Sequence, residues 1–456
     1  MIALLAALLS AAGFWFAHGL ADAWPLAWIA PIPVLWLAFG EAKGWRVAMA
    51  AFAAYLIGQM GGLGVYWSDA GPILLVMAAV PALAFTAAVM LARLAYRRLP
   101  PLAAVLAFPS IWIAWEWGFS LISPNGSFGS WAYSQVGAPM LIQSASLFGL
   151  WALGFLIALV ASAAAMAARG KTSPLILAGV LFAANLGFGA WRLNLPQGPA
   201  QPIGLAAKGP TRDDAPETAR RQSAEARRLV ALGARTVVFQ EKESAFKAAD
   251  RDMVLAPLAA AARETGATLV VGYDVHDGTK RFNTAYVITP DGRVATYVKR
   301  HHVPGLESMF TPGPGPGLLG RGRAVVICKD MDFARTLRAD AIAGRADGGV
   351  RLMLVPAWDF GADGWAHGRM AIWRGVEGGY AVARSAADGL LTLSDSRGRV
   401  VARGAAGLGD YAAVTGELPL GDGPTPYLSL GDVFAWLSAA LGAVLVLWAA
   451  VARKKG

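Results

Sequence analysis

Long apolar stretches dominate the first part of the chain and return once near its end. A helix needs about 20 mostly apolar residues to cross a bilayer. We recognise eight such runs, at 2–20, 23–40, 47–67, 71–92, 102–121, 139–168, 174–192 and 431–452. The pattern predicts a multi-pass α-helical membrane bundle, with a seven-span domain at 1–192 and a last span within 431–456. The sixth run is longer than a span requires, so we expect it to tilt or to extend beyond the lipid.

Between these membrane segments the pattern changes. A Pro/Gly-rich linker at 193–199 is followed by amphipathic helices that alternate with short β-branched strands. We predict helices at 215–233, 252–264 and 332–344, and strands at 236–239, 268–273, 283–288, 293–298 and 324–328, with a loop at 311–317. This alternation predicts one α/β domain over residues 193–430.

The basic residues explain how the chain is oriented in a membrane. The formal charge is +10, but much of it lies in short clusters between apolar runs. These clusters are Lys43 and Arg46; Arg93, Arg97 and Arg98; Arg169 and Lys171; and Arg453, Lys454 and Lys455. Because Lys and Arg mark cytoplasmic loops, we predict cytoplasmic termini, a cytoplasmic basic tail and an extracytoplasmic domain at 193–430. Because the basic residues have this topological explanation, nucleic acid is not an expected partner.

Few polar groups interrupt the spans. Glu116 lies in the fifth run, where a carboxylate needs a partner because burial in lipid is costly. Its role is either to bond to neighbouring helices or to bind lipid. Downstream, Trp131 and Tyr133 lie in a loop rich in glycine and aromatic residues. They are either interfacial anchors or the rim of a lipid entry site.

Three ionisable residues of the α/β domain close predicted strands: Glu241, Lys299 and Cys328. Ligands of open α/β sheets bind where strands end, so we expect these side chains to meet. A thiol near a lysine and a helix start would have a lowered pKa, and a carboxylate beside it would exchange a proton with it. Alone, each residue is more simply a core or surface group. Glu243 is an alternative to Glu241, since both share a face if the strand continues.

At these residues the chain resembles the nitrilase superfamily, in which Glu, Lys and Cys occur in this order. Residues 297–307 look like its lysine motif, including a second glutamate at Glu307, and residues 325–330 look like its nucleophile motif. Residues 356–377 resemble one membrane branch, the apolipoprotein N-acyltransferase family, as do residues 24–29, 131–135 and 148–156. One departure is Cys328-Lys329-Asp330, where that family usually has Cys-Tyr-Glu.

The resemblance implies a four-layer αββα domain that uses neither a cofactor nor a metal. It implies that Cys328 takes an acyl chain from a phospholipid as a thioester and passes it to an amine. The expected acceptor is the N-terminal diacylglyceryl-cysteine of an apolipoprotein. Glu241 would be the general base and Lys299 the oxyanion-stabilising group. Supporting or substrate-binding roles are expected for Glu307, Asp330, Trp358 and His367.

Other functions remain open at this point. A membrane-anchored amidase would give the acyl group to water, although anchoring alone needs only one span. An N-acyltransferase could also act on a different amine. A non-catalytic scaffold is a third hypothesis, and the retained Glu, Lys and Cys argue against it. Since the chain has a single cysteine, it forms no internal disulfide.

Overall fold

The computed structural model describes residues 1–209, 213–407 and 409–452, and every side chain there except that of Asp69. The chain divides into two compact units. One comprises Met1–Ser123, Gly129–Asn194 and the segment from Leu430 onward; the other comprises Pro124–Phe128 and Leu195–Ser429. Arg453, Lys454 and Lys455, the predicted cytoplasmic tail, lie outside the described residues.

The first unit is helical. Within the described residues, six helices are long and apolar enough to cross a membrane: Gly44–Tyr66, Ile73–Arg98, Pro101–Ile122, Leu150–Ala167, Ser173–Leu193 and Val433–Val451. The first two predicted spans are shorter, Ile2–His18 and Trp24–Ala38. The prediction of eight spans is therefore supported for six. The second is also divided, because a 3₁₀ helix at Trp24–Trp28 gives way to an α-helix at Ile32–Ala38 after Pro31.

The sixth predicted run is not one continuous helix. It breaks into short helices at Pro139–Ile142 and Ala145–Phe148, and then continues as Leu150–Ala167. Gly149, with φ +64°, separates the last two, and a left-handed backbone of this kind favours glycine. The backbone break shortens the apolar helix of this run to an ordinary span length of 18 residues.

The predicted basic loops meet at one end of the first unit. Arg93 donates to the carbonyl oxygens of Ala38 and Gly40 at 2.6 and 3.3 Å, and Arg169 donates to that of Trp36 at 2.9 Å. The Lys171 ammonium lies 3.3 Å from the carbonyl of Tyr96. The loops after the second, fourth and sixth predicted spans therefore lie together, as their alternation along the chain requires.

Glu116 bonds to neighbouring segments of the same unit. Its carboxylate accepts hydrogen bonds from Trp112 Nε1 at 3.1 Å, Ser130 Oγ at 2.8 Å and the Trp131 amide at 3.2 Å. Trp131 is fully buried, stacks on Trp112 and donates to Tyr55 Oη at 3.0 Å, and Tyr133 is also buried. The two aromatic residues are therefore neither interfacial anchors nor a lipid-entry rim, because the packing of the unit encloses them.

The second unit contains two β-sheets. In chain order the strands are β1 Ala200–Ala207, β2 Thr236–Phe239, β3 Ser244–Lys247, β4 Thr268–Asp277, β5 Lys280–Ile288, β6 Val294–Val298, β7 Leu318–Gly320, β8 Arg323–Val325, β9 Leu352–Trp358, β10 Ala381–Ala387, β11 Leu390–Ser394, β12 Val400–Ala405 and β13 Ala412–Pro419. The first sheet has the order β13-β1-β2-β4-β5-β6, with β3 beside β4, and the second has the order β12-β11-β10-β9-β8-β7. The helices of this unit are Ala215–Ala231, Arg251–Thr265, Ala334–Ala343, Gly364–Gly378 and Pro426–Leu430.

The sheets stack face to face between helices, which gives four layers. Inward side chains of both sheets form one core, including Leu205 and Val238 from the first and Leu354 and Val382 from the second. The opposite face of the first sheet packs on the helices Ala215–Ala231 and Arg251–Thr265. Burial of these alternating faces stabilises the stack, since apolar area contributes roughly 25 cal/mol per Å² removed from water. The arrangement is the αββα sandwich that the resemblance implied.

Strand pairing brings the ends of three strands of the first sheet together. β4 and β5 form a hairpin, with Asp277 opposite Lys280 and Gly278 at φ +57° in the two-residue turn. Strand β6 then pairs with β5, and the Lys299 amide donates to the Asn283 carbonyl at 2.9 Å. β2 runs parallel to β4. The residues that follow β2 lie against Gly272 of β4, where an added Cβ would be only 2.7 Å from the Cα of Glu241. Glu241, Asn283 and Lys299 consequently share one edge.

Candidate active site

Cys328 lies in a tight turn of the second unit. Strand β8 ends at Val325, before the predicted end at 328, and a 3₁₀ helix begins at Cys328. Cys328 has φ +40°, which is uncommon for a residue with a Cβ and is typical of functional turns. Cys328 as a whole residue is partly exposed, and its thiol donates to the Trp358 carbonyl oxygen at 3.3 Å. The thiol is thus held by the backbone of the neighbouring strand β9.

Beside Cys328, Lys299 joins two carboxylates. Its ammonium lies 2.8 Å from Glu241 Oε1 and 2.7 Å from Glu307 Oε2, and all three side chains are buried. Asn283 Nδ2 donates to Glu241 Oε1 and, at 3.1 Å, to Glu307 Oε1. Glu241 Oε2 is also buried, but it has no hydrogen-bond partner among the described residues. One oxygen of Glu241 is thereby fixed, and the other remains available to accept a proton.

The electrostatics of the thiol differ from the sequence-based prediction. Burial and the negative charge of Glu241 raise the pKa of Cys328 above its ordinary value, and the charges of Lys299 and Arg384 offset this only in part. The lowered pKa that the lysine and the helix start predict is wrong, because desolvation and the carboxylate outweigh the cations. Cys328 is therefore a thiol at neutral pH, and it would need a base before it could act as a nucleophile.

Lys299 and Glu307 both remain ionised. Burial alone would lower the pKa of Lys299, but the neighbouring charges of Glu241, Cys328 and Glu307 raise it overall. Burial alone would raise the pKa of Glu307, but the charges of Lys299 and Lys242 lower it overall. Lys299 therefore stays an ammonium and Glu307 stays a carboxylate at neutral pH.

Asp330 ties the lysine segment to the cysteine turn. Oδ2 accepts from Tyr297 Oη at 2.7 Å and from the Ile327 amide at 3.0 Å, while Oδ1 accepts from the amides of Arg300 and His301 at 3.2 and 2.9 Å. Burial raises the pKa of Asp330 to about 6, although these donors oppose the shift. Asp330 thus holds the positions flanking Lys299 and Cys328 at a fixed separation.

The other predicted supporting residues separate into two groups. Trp358 belongs to the cluster, since its carbonyl accepts from the thiol and its ring lies 5.8 Å from the Lys242 ammonium. His367 pairs with Asp363 at 2.9 Å and lies 5.8 Å from the Phe128 ring. Within the described residues, none of its hydrogen bonds or ring contacts reaches Glu241, Lys299 or Cys328.

Glu243 occupies a different environment from Glu241. It accepts hydrogen bonds from Gln222 Nε2 at 2.8 Å and from Tyr411 Oη, and it lies 3.4 Å from the Lys208 ammonium. The condition for a shared strand face, a strand that continues through both glutamates, is not met, because β2 ends at Phe239 and Lys242 has φ +47°. This left-handed residue ends the two-residue alternation, so the two carboxylates enter separate networks.

Several residues of the site were not singled out from the sequence. Asn283 bonds both Glu241 and Glu307, and Arg384 forms a fully buried ion pair with Asp359 at 2.9 Å beside Cys328. Asn125 Oδ1 accepts from Lys329 Nζ at 2.7 Å. A signal existed for Asn283, since a polar residue within an apolar strand requires a partner. Asn125 carried no such signal, because it lies in the linker between two membrane helices.

Comparison with known proteins is consistent with these two units. A family model described as the apolipoprotein N-acyltransferase N-terminal domain matches residues 10–163, and one described as carbon-nitrogen hydrolase matches residues 214–386. An apolipoprotein N-acyltransferase from Geobacter metallireducens is 28% identical over 94% of this chain and 92% of its own length. Over nearly its whole length, the chain is similar to apolipoprotein N-acyltransferases.

A second apolipoprotein N-acyltransferase, from Azotobacter vinelandii, is 28% identical over 95% of this chain and 92% of its own length. Among solved structures, an amidase from Nesterenkonia sp. has a TM-score of 0.42 and 22% identity, and the match covers 50% of this chain and 93% of the amidase. The α/β assignment itself rests on the two observed sheets and on the carbon-nitrogen hydrolase match.

Proposed function

We propose that this protein transfers an acyl chain from a phospholipid, through a thioester on Cys328, to the amine of an apolipoprotein. The observation that carries the mechanism is the free Oε2 of Glu241 in a site where Lys299 and Asn283 hold the other oxygen. A general base needs an accessible acceptor within about 2.6–3.2 Å of the proton, or one water away. Similarity to apolipoprotein N-acyltransferases over nearly the whole chain supports a lipid donor and a lipoprotein acceptor.

In the first step, the Cys328 thiol gives its proton to Glu241 as the sulfur attacks the ester carbonyl of the lipid. Negative charge develops on the carbonyl oxygen, and the Lys299 ammonium stabilises it. When the intermediate collapses, the C–O bond breaks and the lysophospholipid leaves as it takes the proton from Glu241. The enzyme then carries the acyl chain as a thioester.

In the second step, the amine attacks the thioester carbon. Glu241 takes a proton from the amine, the C–S bond breaks, and the sulfur regains a proton. The amide product is released, and the Cys328 thiol is regenerated. Glu307 and Asp330 act through Lys299 and the cysteine turn, since both bond to those segments rather than to the sulfur.

The products distinguish acyl transfer from hydrolysis. We expect the purified full-length protein, given phospholipid and a diacylglyceryl-cysteine peptide, to form equal amounts of lysophospholipid and N-acyl peptide. Lipid extraction and mass spectrometry measure both. Free fatty acid without N-acyl peptide would instead identify a hydrolase, and acylation of a different added amine would identify another acceptor.

We also propose that the second unit, residues 195–429, lies outside a bacterial inner membrane, with both termini cytoplasmic. The support is that the basic loops gather at one end of the first unit, and such loops are retained in the cytoplasm. Protease added to intact spheroplasts should therefore cut within residues 195–429. Protection there, with cleavage near Arg97 or Arg169, would reverse the orientation.

A further inference from the structure

A second lysine lies in the candidate site, directly after Glu241. Lys242 has φ +47°, an uncommon backbone conformation for a residue with a side chain. Its ammonium lies 2.5 Å from Glu307 Oε1 and 3.6 Å from Glu241 Oε1. The rings of Phe310 and Trp358 lie 5.3 and 5.8 Å from it. The turn that separates Glu241 from Glu243 therefore also brings a cation to both carboxylates of the cluster.

The two lysines of the site differ in their surroundings. The Lys299 side chain is 1% exposed, whereas that of Lys242 is 20% exposed. Lys299 bonds both Glu241 and Glu307, so it is shared. Lys242 bonds mainly Glu307, on the oxygen that Lys299 does not hold. Glu307 thus has one cation on each oxygen, and it also accepts from Asn283 Nδ2 at 3.1 Å and from the Val303 amide at 2.9 Å.

The charge of the cluster depends on this second cation. Glu241 and Glu307 carry two negative charges, and Lys299 and Lys242 carry two positive charges. Without the charge of Lys242, the two carboxylates would share one ammonium, and their other hydrogen-bond donors, Asn283 and the Val303 amide, are neutral. Buried like charges so close favour protonation of one of them, and they compete for the remaining cation. A protonated base cannot receive the thiol proton, and a Lys299 held more tightly by carboxylates is less available to a developing oxyanion.

We propose that Lys242 is a positioning residue of this active site, which neutralises Glu307 and so leaves Glu241 and Lys299 free to act in acyl transfer. It works through the two carboxylates, and no contact with the sulfur is required. The inference rests on the function proposed above.

Three variants test the proposal. Lys242→Met keeps the length of the side chain without its charge, and Lys242→Arg keeps the charge. Lys247→Met is the matched control, because Lys247 is exposed on the adjacent strand β3. Each full-length variant is compared with the parental protein in its melting temperature, its rate of thioester formation and its KM for phospholipid.

We expect Lys242→Met to slow thioester formation by about tenfold or more, with KM within about twofold, because a charge beside the base is lost. Lys242→Arg should recover most of the rate, and Lys247→Met should match the parental protein. The double variant Lys242→Met with Glu307→Gln should slow thioester formation by less than the product of the two single fold-losses. The reason is that each single variant already breaks the same Lys242–Glu307 ion pair. An unchanged Lys242→Met, an Lys242→Arg as slow as Lys242→Met, or a loss confined to KM would each overturn the proposal.

A second measurement needs no lipid. Iodoacetamide labels the one thiol of the chain, and its rate follows the readiness of Cys328 to lose its proton. Lys242→Met should label more slowly than the parental protein, and Lys242→Arg should label at nearly the parental rate. Equal labelling of all three would overturn the role of Lys242. A parental protein that labels normally but forms no thioester with phospholipid would instead contradict the proposed function.

Discussion

Replacing Cys328 with alanine is expected to abolish acyl transfer, because the chain has no other cysteine that could form the thioester. Cys328→Ser should give at most a slow oxygen ester, since a serine hydroxyl is far less acidic than a thiol and is a poorer nucleophile in the same site. The readout is release of lysophospholipid in a single turnover, followed by transfer to a diacylglyceryl-cysteine peptide. We expect no acyl-enzyme in the alanine variant and at least a 10²-fold slower first step in the serine variant.

The single cysteine of the chain makes this experiment clean. A thiol reagent that labels the parental protein and not Cys328→Ala reports one site. The melting temperature of Cys328→Ala should stay close to that of the parental protein, because the thiol donates only one weak hydrogen bond, to Trp358. Acyl transfer at the parental rate in Cys328→Ala would rule out covalent catalysis by this residue.

Glu241→Gln is the second substitution with a large expected effect. The amide keeps the shape of the side chain but cannot accept the thiol proton, so we expect a loss of at least about 10²-fold in thioester formation. Because the pKa of Cys328 is raised, the thiol depends on this base at neutral pH. Transfer from the thioester to the amine should fall as well, since Glu241 would serve both steps.

Glu243→Gln is the matched control, two residues along the chain. Its carboxylate bonds Gln222, Tyr411 and Lys208, in a network that contains neither Lys299 nor Cys328. We expect this variant to keep its rate within about tenfold of the parental protein, with a lowered melting temperature, because a buried ion pair loses one partner. A severe loss of activity in Glu243→Gln, beside an active Glu241→Gln, would exchange the roles of the two residues.

The residues at the strand ends were the most predictable part of the site. Lys299 follows β6 directly, and Glu241 follows β2 by two residues, because β-branched runs identify strands well. Strand ends of a shared sheet meet at one edge, which is why local patterns were enough to group these residues. The chain order of Glu, Lys and Cys added the resemblance that implied the two stacked sheets.

Features that depend on the tertiary fold were not predictable from the sequence. The parallel pairing of β9 with β8 and β10, and the grouping of Pro124–Phe128 with the second unit, depend on contacts between residues distant in the chain. The left-handed backbone at Lys242, which separates Glu241 from Glu243, has no signature in its residue type. The raised pKa of Cys328 depends on burial and on distances between side chains, so the neighbouring lysine alone gave the wrong direction.

The membrane unit shows the same limit. Apolar content identified the six long helices, but it could not show where prolines and Gly149 interrupt the backbone. The burial of Trp131 was equally hidden, because an aromatic residue in a glycine-rich loop is compatible with an interface and with a packed core. Helix length and aromatic position are set by contacts that composition does not record.

Mass spectrometry of the Cys328 peptide tests the central claim most directly. Purified protein is incubated with a phospholipid of defined acyl chain in the absence of an amine acceptor and then digested. We predict that this peptide gains the mass of one acyl chain, that hydroxylamine removes it, and that Glu241→Gln greatly reduces it. An unmodified Cys328 in protein that still converts phospholipid to lysophospholipid would contradict the thioester mechanism.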